Sequence, residues 1–403
     1  MPRARSRPPS PGPVHSLRAV VRLPGLPALR LVWRLCLRGG PAAGIRRFAP
    51  VQIHPFAPMM AQADIDRIKA GLPPAAYRVA PGKLAVMLLH AGIAATGFWL
   101  AGRTGLAWPL VPLALVTGHS LGCIGFLAHD LAHGSVVRHR PTALALERVF
   151  WGLVLISATV WRRVHNQSHH AHFNTVLDPD RMFLADERRA TTVWYVRIFY
   201  PNAETFPWNP LVLLHLVAYV GRNTVTSLLP GKSKLAVVPA KAAVHAGDRR
   251  AILIDLGIIA GLQALLWLLT GRQAAVHATM LILSYAVTSA LTMAYIFTNH
   301  FTDPLHAEPD LLHGTTSVIV PAWLDRLHSH FSYHTEHHLF PGLNSDYYPV
   351  VSAHLARAFP GSYSRIPILE AWRRLWRNAM FVPPPGPATP ANTPARAAEP
   401  ASV

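Results

Sequence analysis

The chain has 403 residues, of which 51% are hydrophobic and only 14% are charged, a balance typical of an integral membrane protein. Its formal net charge of +19 would suit a nucleic-acid partner, but only Arg103 and Arg272 among the 38 Lys and Arg residues lie in the two short turns between apolar segments. Such asymmetry is typical of positive-inside orientation, so we predict membrane association and no nucleic-acid binding. Cys36 and Cys123 lie far apart and do not suggest a disulfide framework.

Three regions differ in composition along the chain. Residues 1–62 are rich in Arg and Pro, and we predict that they are disordered or precede a true start at Met59 or Met60. Residues 63–381 form the predicted membrane domain. Residues 382–403, dominated by Pro and Ala, form a predicted disordered tail.

Four apolar segments of the membrane domain are long enough to cross a bilayer. They cover residues 83–101, 108–128, 251–270 and 274–297, each close to the roughly 20 residues that a crossing requires. A short turn joins the first two segments and another joins the last two. The sequence therefore predicts two transmembrane hairpins.

The second of these segments contains two glycines and a histidine for which the sequence predicts a role. Gly118 and Gly122 form a small-residue face that favours close helix packing. His119 is predicted to be a hydrogen-bonded intramembrane residue rather than a metal ligand, because it lies well inside the segment.

Shorter elements surround the hairpins. The apolar runs 149–161 and 210–220 are too short to cross, so we expect them to lie in the interface or to enter and return. Residues 323–339 are predicted to form one helix. Residues 368–381 are predicted to form an amphipathic piece that carries arginines and tryptophans to the lipid headgroups.

Three clusters of histidines, which we call boxes, lie beyond the ends of the spans. Their imidazoles are spaced by three, four or five residues, so each box can present several nitrogens to a common metal. Such a nitrogen-rich set suits iron, copper, zinc or nickel, and eight ligands exceed the need of one tetrahedral zinc, so a pair of metals is predicted. The boxes are His129 and His133; His165, His169 and His170; and His334, His337 and His338.

The boxes and spans together predict an all-α membrane protein. Four transmembrane helices in two hairpins would carry a cytoplasmic helical cap that holds the di-metal site. This arrangement requires that the run 149–161 does not cross the bilayer, because a single crossing would place the first and second boxes on opposite faces of the membrane. We expect a bacterial inner-membrane protein with both termini and the active site in the cytoplasm.

The order HxxxH, HxxxHH and HxxHH, with Leu-Phe-Pro after the last box, resembles the membrane-bound fatty acid desaturase family over about residues 83–363. The resemblance implies a further ligand after the last span, His300, and a preceding residue, Asn299, that holds a metal-bound water. It also implies two iron ions, O2 as co-substrate and a fatty acyl lipid as substrate. Electrons would come from a separate ferredoxin or cytochrome b5-type donor, and no catalytic residue is implied apart from the ligands.

Two carboxylates lie inside boxes. Asp130 and Glu336 could accept hydrogen bonds from ligand imidazoles and orient them, as residues around metal ligands commonly do. Solvated helix charges are the alternative interpretation. The sequence alone leaves both open.

Two other functions are compatible with parts of this pattern. A hydroxylase or carotenoid ketolase of the same histidine-box group would share the HDxxHG start of the first box and the Asp-Pro-Asp that follows the second. A membrane metal transporter would instead place histidines within the spans, which the boxes do not. Fatty acyl desaturation is the function we predict.

Overall fold

A computed structural model describes residues 60–377 except 176, 181–212, 217–223, 225–226, 229–243, 303–305, 307 and 364. The predicted N-terminal extension, apart from its last three residues, lies outside the described residues. So do the tail and all of the run 210–220 except residues 213–216.

Among the described residues, four helices are long and apolar enough to cross a membrane. They follow a short first helix, α1, and their ends differ from the predicted spans by a few residues. Pro109 precedes one of them at a position that suits proline, because its missing N–H would be unpaired there. The five helices are α1 (Gln62–Ala70), α2 (Gly82–Thr104), α3 (Leu110–Ala132), α7 (Arg249–Leu269) and α8 (Ala274–His300).

Helices α3 and α8 pack closely where the sequence predicted a small-residue face. A Cβ atom at Gly118 would lie 2.3 Å from the carbonyl oxygen of Ser284, and one at Gly122 would lie 2.7 Å from a methyl carbon of Leu291. The Ser284 oxygen belongs to the backbone, so only glycine permits the approach at position 118, whereas the Leu291 methyl ends a flexible side chain that can shift. The predicted close packing is confirmed at Gly118.

The stretch between α3 and α7 folds back on itself. Helix α4 (Arg140–Leu153) is followed by α5 (Ala158–Trp161), a π-helix (Arg162–His169) and α6 (His170–His172), and the axis bends by 106° at the break. This bend agrees with the prediction that the apolar run 149–161 enters the membrane and returns to the same side.

A buried carboxylate on α7 forms hydrogen bonds with residues at the corner of this bend. Asp255 accepts hydrogen bonds from the Ser157 hydroxyl at 2.7 Å and from the Thr159 backbone N–H at 2.8 Å. The Arg148 guanidinium donates to the same carboxylate at 2.9 Å. Because the buried charge is paired and hydrogen-bonded, the corner has a defined position relative to α7.

A cap of short elements follows α8. It contains β1 (Ser317–Ile319), α9 (Ala322–Leu327), α10 (His334–Leu339), α11 (Tyr348–Ala358), β2 (Arg365–Pro367) and α12 (Ile368–Arg377). The two strands pair in parallel, with Ser317 opposite Arg365. The all-α prediction therefore missed a small sheet, because three-residue strands are too short to show an alternating pattern.

The prediction of one helix over residues 323–339 was wrong. The chain leaves the helical conformation at Ser329 and His330, which have positive φ angles of 54° and 57°. The His330 N–H donates to the Asp325 carbonyl at 2.7 Å and closes a turn. This turn separates α9 from α10 and lets the third box begin its own helix at His334.

Candidate metal centre

The structure brings all nine predicted imidazoles together in two groups. Within each group, one nitrogen atom per residue lies within 4.8 Å of those of the others. One group contains His129, His133, His165, His170 and His337, and the other contains His169, His300, His334 and His338. Each group combines residues from different parts of the sequence, so the site forms only in the folded chain.

The second box reaches both groups because of the π-helix. A π-helix hydrogen-bonds residues five apart, which brings such residues onto one face. His165 and His170 therefore join the same group, with ring centroids 5.0 Å apart. His169 faces the other group, where its ring centroid lies 4.6 Å from that of His300.

The third box divides between the groups by ordinary helical spacing. His334 and His338 lie one turn apart on α10, and their Nε2 atoms are 3.2 Å apart. His337 points to the other group, where its Nε2 atom lies 3.2 Å from that of His170. Helix α10 therefore stands between the two groups and contributes to both.

Several Nε2 atoms converge at distances that suit shared metal ions. The Nε2 atoms of His129 and His165 are 3.1 Å apart, and those of His334 and His300 are 2.5 Å apart. The Nε2 atoms of His133 and His169 are buried without a hydrogen-bond partner in the structure. Buried polar atoms normally have a partner, and metal ions would supply one here. The donor set therefore fits a pair of metal ions.

Neighbouring side chains fix the outer nitrogens of three of these imidazoles. The Nδ1 atom of His169 lies 2.8 Å from an Asp178 carboxylate oxygen, and that of His165 lies 3.0 Å from Asp180. The Tyr348 hydroxyl lies 3.1 Å from Nδ1 of His337. Such partners set the tautomer and direct Nε2 inward.

None of these three side chains had a predicted role. The Asp-Pro-Asp run after the second box was the only signal, and two carboxylates so close to a histidine box could have suggested support for the imidazoles. Tyr348 gave no signal, because its contact with His337 depends on the packing of α11 against α10.

The two carboxylates within the boxes have other partners. Asp130 accepts hydrogen bonds from the Lys83 ammonium at 2.8 Å and from the Ser345 hydroxyl at 2.8 Å, while Nδ1 of His129 lies 3.8 Å away. Glu336 accepts from the Ser317 hydroxyl at 2.5 Å and from the Tyr363 hydroxyl. Glu336 therefore holds parts of the cap together, while Asp130 joins the cap to α2 and also lies within ion-pair distance of the His129 imidazole.

Asn299 is fully buried next to His300, and neither its side-chain oxygen nor its nitrogen has a hydrogen-bond partner among the described residues. Its backbone is fixed, since its carbonyl oxygen accepts from the Thr316 N–H at 2.8 Å. The amide is thus held in place with its hydrogen-bonding groups available.

The imidazoles of the third box are neutral at physiological pH. Burial lowers the pKa of His334, His337 and His338 well below the usual value of 6.5, and nearby imidazoles lower it further. Only a neutral imidazole can offer a lone pair to a metal, so the environment favours the ligating form.

An apolar cavity opens beside the imidazoles. Its upper part has a volume of about 50 Å³ and is lined by His129, His300 and Phe297 among others. A deeper part shares Trp161 and Phe331 with the upper part. The deeper part is lined almost entirely by apolar atoms of Gly125, Phe126, Trp151, Val154, Ile156, Thr288 and Thr292. The two parts together form a narrow apolar path that leads from the imidazoles into the helix bundle.

Fold and site together define a membrane protein with a histidine-rich site, able to hold metal ions, beside an apolar cavity. A comparison with protein families matches residues 106–368 to the fatty acid desaturase family, and the chain belongs to that family. Residues in this chain are also 30% identical, over 165 positions, to a β-carotene ketolase from Paracoccus sp. (strain N81106 / MBIC 01143). The match covers 38% of this chain and 61% of the ketolase, less than two thirds of that relative.

Proposed function

We propose that this protein is a di-iron, O2-dependent oxidoreductase that introduces a double bond into a fatty acyl chain. The observation that carries the proposal is the position of two groups of buried or half-buried imidazoles beside an apolar cavity. When bound, the iron pair supplies the oxygen activation needed to remove hydrogen from an unactivated methylene. The nine imidazoles named above would hold it.

The chain's own residues would orient the substrate and exclude water. Trp161 and Phe331 line both parts of the cavity, so they would contact the acyl chain closest to the imidazoles. The apolar lining of the deeper part offers no group that could replace the hydration of a polar headgroup. The headgroup would remain at the box end and the methyl end would enter the bundle.

Asn299 is the residue best suited to bond a water or oxygen species near His300. Its amide is buried beside His300 and has no hydrogen-bond partner among the described residues. Replacing it with Leu keeps a similar size and removes the hydrogen-bonding groups. We expect Asn299→Leu to retain metal and lose turnover.

Electrons would come from a separate acidic donor such as a ferredoxin or cytochrome b5-type protein. The strong positive charge of the chain would attract it, and both termini and the site would face the cytoplasm of a bacterial cell. Raising the ionic strength should then slow donor-dependent turnover. Turnover insensitive to salt would contradict this docking.

The test is expression in a host that lacks unsaturated acyl chains, followed by mass spectrometry of double-bond positions. The wild-type protein should produce a new unsaturated product, and His337→Ala should produce none while remaining in the membrane. Saturated lipids alone, from wild-type protein loaded with iron, would refute desaturation.

A second candidate is the oxygenation of a carotenoid, favoured by the similarity to a β-carotene ketolase. The same ligand set could serve insertion of oxygen instead of removal of a second hydrogen. Expression in a carotenoid-producing host separates the two. Oxygenated carotenoids with unchanged acyl unsaturation would replace the first proposal with the second.

A further inference from the structure

A second cluster of metal-binding side chains lies inside the helix bundle, apart from the nine box imidazoles. His119, Cys123 and His328 place their ligand atoms within 4.8 Å of one another. His119 and Cys123 lie one turn apart on α3, and His328 directly follows α9 in the cap. His119 precedes His129 by ten residues, about 15 Å along the helix, so this cluster is separate from the boxes.

The cluster repeats the close imidazole pairing of the box site. The Nε2 atoms of His119 and His328 are 3.2 Å apart. Those of His337 and His170, which belong to the same metal group, are also 3.2 Å apart. Two nitrogens bound to one metal at the usual bond length of about 2.0–2.1 Å lie at a comparable separation.

A tyrosine supports His328 in the same way that another supports a box ligand. The Tyr295 hydroxyl lies 2.9 Å from Nδ1 of His328, as the Tyr348 hydroxyl lies 3.1 Å from Nδ1 of His337. In both cases the contact fixes the ring and leaves Nε2 directed at the other imidazole. This arrangement is common around metal-ligating histidines.

Cys123 places a soft ligand atom, its sulfur, within 4.8 Å of one nitrogen of each imidazole. Its side chain is fully buried, and its sulfur lies 3.8 Å from Nδ1 of His119. A thiolate with imidazoles selects zinc or copper over hard cations such as calcium or magnesium. No carboxylate belongs to the cluster among the described residues.

A fourth imidazole lies nearby. His90 of α2 is buried, interacts electrostatically with both His119 and His328, and has no hydrogen-bond partner for its Nδ1 atom in the structure. It does not belong to the group whose ligand atoms lie within 4.8 Å of one another, so it would have to move closer to complete the four ligands that zinc prefers.

We propose that His119, Cys123 and His328 bind a third metal ion, a thiophilic cation, either Zn²⁺ or Cu⁺. Binding forms one sulfur–metal and two nitrogen–metal bonds and releases the thiol proton to solvent. Cu⁺ with one thiolate gives a site of zero net charge, whereas Zn²⁺ with one thiolate leaves one positive charge. A fourth ligand from His90 would therefore stabilise bound Zn²⁺ more than bound Cu⁺. The proposal does not depend on the reaction that the boxes perform.

Such an ion would join the cap to the transmembrane helices. His328 precedes His334 by six residues, and the turn at Ser329 and His330 lies between them. Fixing His328 against α3 would therefore fix the start of α10 and the third box. The ion would have a structural role and would not touch the substrate.

The alternative is a chain of hydrogen bonds without metal. The Cys123 thiol would donate to Nδ1 of His119, Nε2–H of His119 would donate to Nε2 of His328, and Nδ1–H of His328 would donate to the Tyr295 hydroxyl. Every group in this chain has a partner, so experiment must distinguish it from a metal site.

Metal analysis and cobalt substitution of the full-length protein in detergent make this distinction. Zinc and copper are measured in the purified protein, which is then stripped with a chelator and reloaded with Co²⁺. A thiolate bound to Co²⁺ gives charge-transfer absorption in the near ultraviolet, whereas imidazole ligands do not. The variants are Cys123→Ser, His119→Asn, Cys36→Ser as the thiol control and His337→Ala as the box control.

We expect the absorption in the wild type, in Cys36→Ser and in His337→Ala, and its loss in Cys123→Ser and His119→Asn. The last two should also lose about one equivalent of zinc or copper per chain, and the element that disappears identifies the ion. Absence of the absorption from the wild type, with equal zinc and copper in Cys123→Ser and wild type, would establish the hydrogen-bond chain and overturn the proposal. His119→Asn provides the same comparison if Cys123→Ser does not fold.

Discussion

The Lys83 ammonium lies 2.8 Å from the Asp130 carboxylate, and both side chains are buried at the end of the helix bundle that carries the boxes. Lys83 is the second residue of α2, and Asp130 lies between the two histidines of the first box. The Ser329 and Ser345 hydroxyls also hydrogen-bond to this carboxylate, at 2.9 and 2.8 Å. One ion pair thus joins two transmembrane helices and the cap beside the metal centre.

We expect Lys83→Met to destabilise the protein by about 3–5 kcal/mol, because it leaves a buried carboxylate without its counter-charge. Thermal unfolding in detergent measures the change. The matched control is Arg67→Met, which removes an exposed ion pair with Asp64 and should cost no more than about 1 kcal/mol. Equal unfolding temperatures for the two variants would show that the buried pair does not stabilise the fold.

Asp178 is expected to control metal affinity through His169. Its carboxylate lies 2.8 Å from Nδ1 of His169, and both side chains are buried. Asp178→Asn removes the negative charge and can reverse the tautomer, so we expect iron affinity to fall by about 10- to 100-fold. Competition with a chelator measures the affinity. Asp66→Asn, on the exposed surface of α1, is the control and should bind iron as the wild type does.

An unchanged affinity in Asp178→Asn would show that backbone packing alone orients His169. In that case the contact would be a consequence of the fold rather than a support for the ligand. Asp180→Asn, which alters the partner of His165, gives a second measurement on the other metal group.

The sequence predicted the long helices and the clustering of the nine imidazoles well because both rest on local patterns. Segments of about 20 apolar residues commonly form membrane-spanning helices. Histidines at short spacings identify a box from a few neighbouring residues alone. The small-residue face formed by Gly118 and Gly122 was also predicted from a local pattern.

The parts that sequence reasoning missed depend on contacts between distant residues. A turn at Ser329 and His330 requires positive φ angles in residues that usually avoid them, and the surrounding packing imposes it. Asp130 lies beside a metal ligand, yet its partner is Lys83, 47 residues earlier in the sequence. The pairing of β1 with β2 joins segments nearly 50 residues apart. The turn, the ion pair and the strand pairing all depend on the assembled fold.

Gly118→Val should separate α3 from α8. The new Cβ would lie 2.3 Å from the Ser284 carbonyl oxygen and 2.6 Å from the Cβ of Val287, so the helices must move apart. We expect a loss of about 1–3 kcal/mol from overpacking, measured by thermal unfolding. Gly261→Val on α7 is the control, since a Cβ there meets no atom within 4 Å. If Gly261→Val were equally destabilising, helix propensity rather than packing would explain the loss.

Gly125→Leu should block the cavity without disturbing the metal centre. Gly125 lies one turn before His129 on α3 and lines the deeper part of the cavity, and a Cβ added there meets no atom within 4 Å. A leucine would occupy the space proposed for the acyl chain. We expect metal content and unfolding temperature to remain near the wild-type values, while turnover of long-chain substrates falls at least about tenfold, equivalent to about 1.4 kcal/mol of lost transition-state stabilisation.

The control for this variant is Gly257→Leu, the same substitution at an unobstructed glycine on α7. Gly257 does not line either part of the cavity, so its variant should turn over long-chain substrates normally. Short-chain substrates should be affected less than long ones by Gly125→Leu, because they need less of the deeper space. Equal loss with short and long substrates, at full metal content, would indicate that the substrate does not extend along this cavity and approaches the imidazoles by another route.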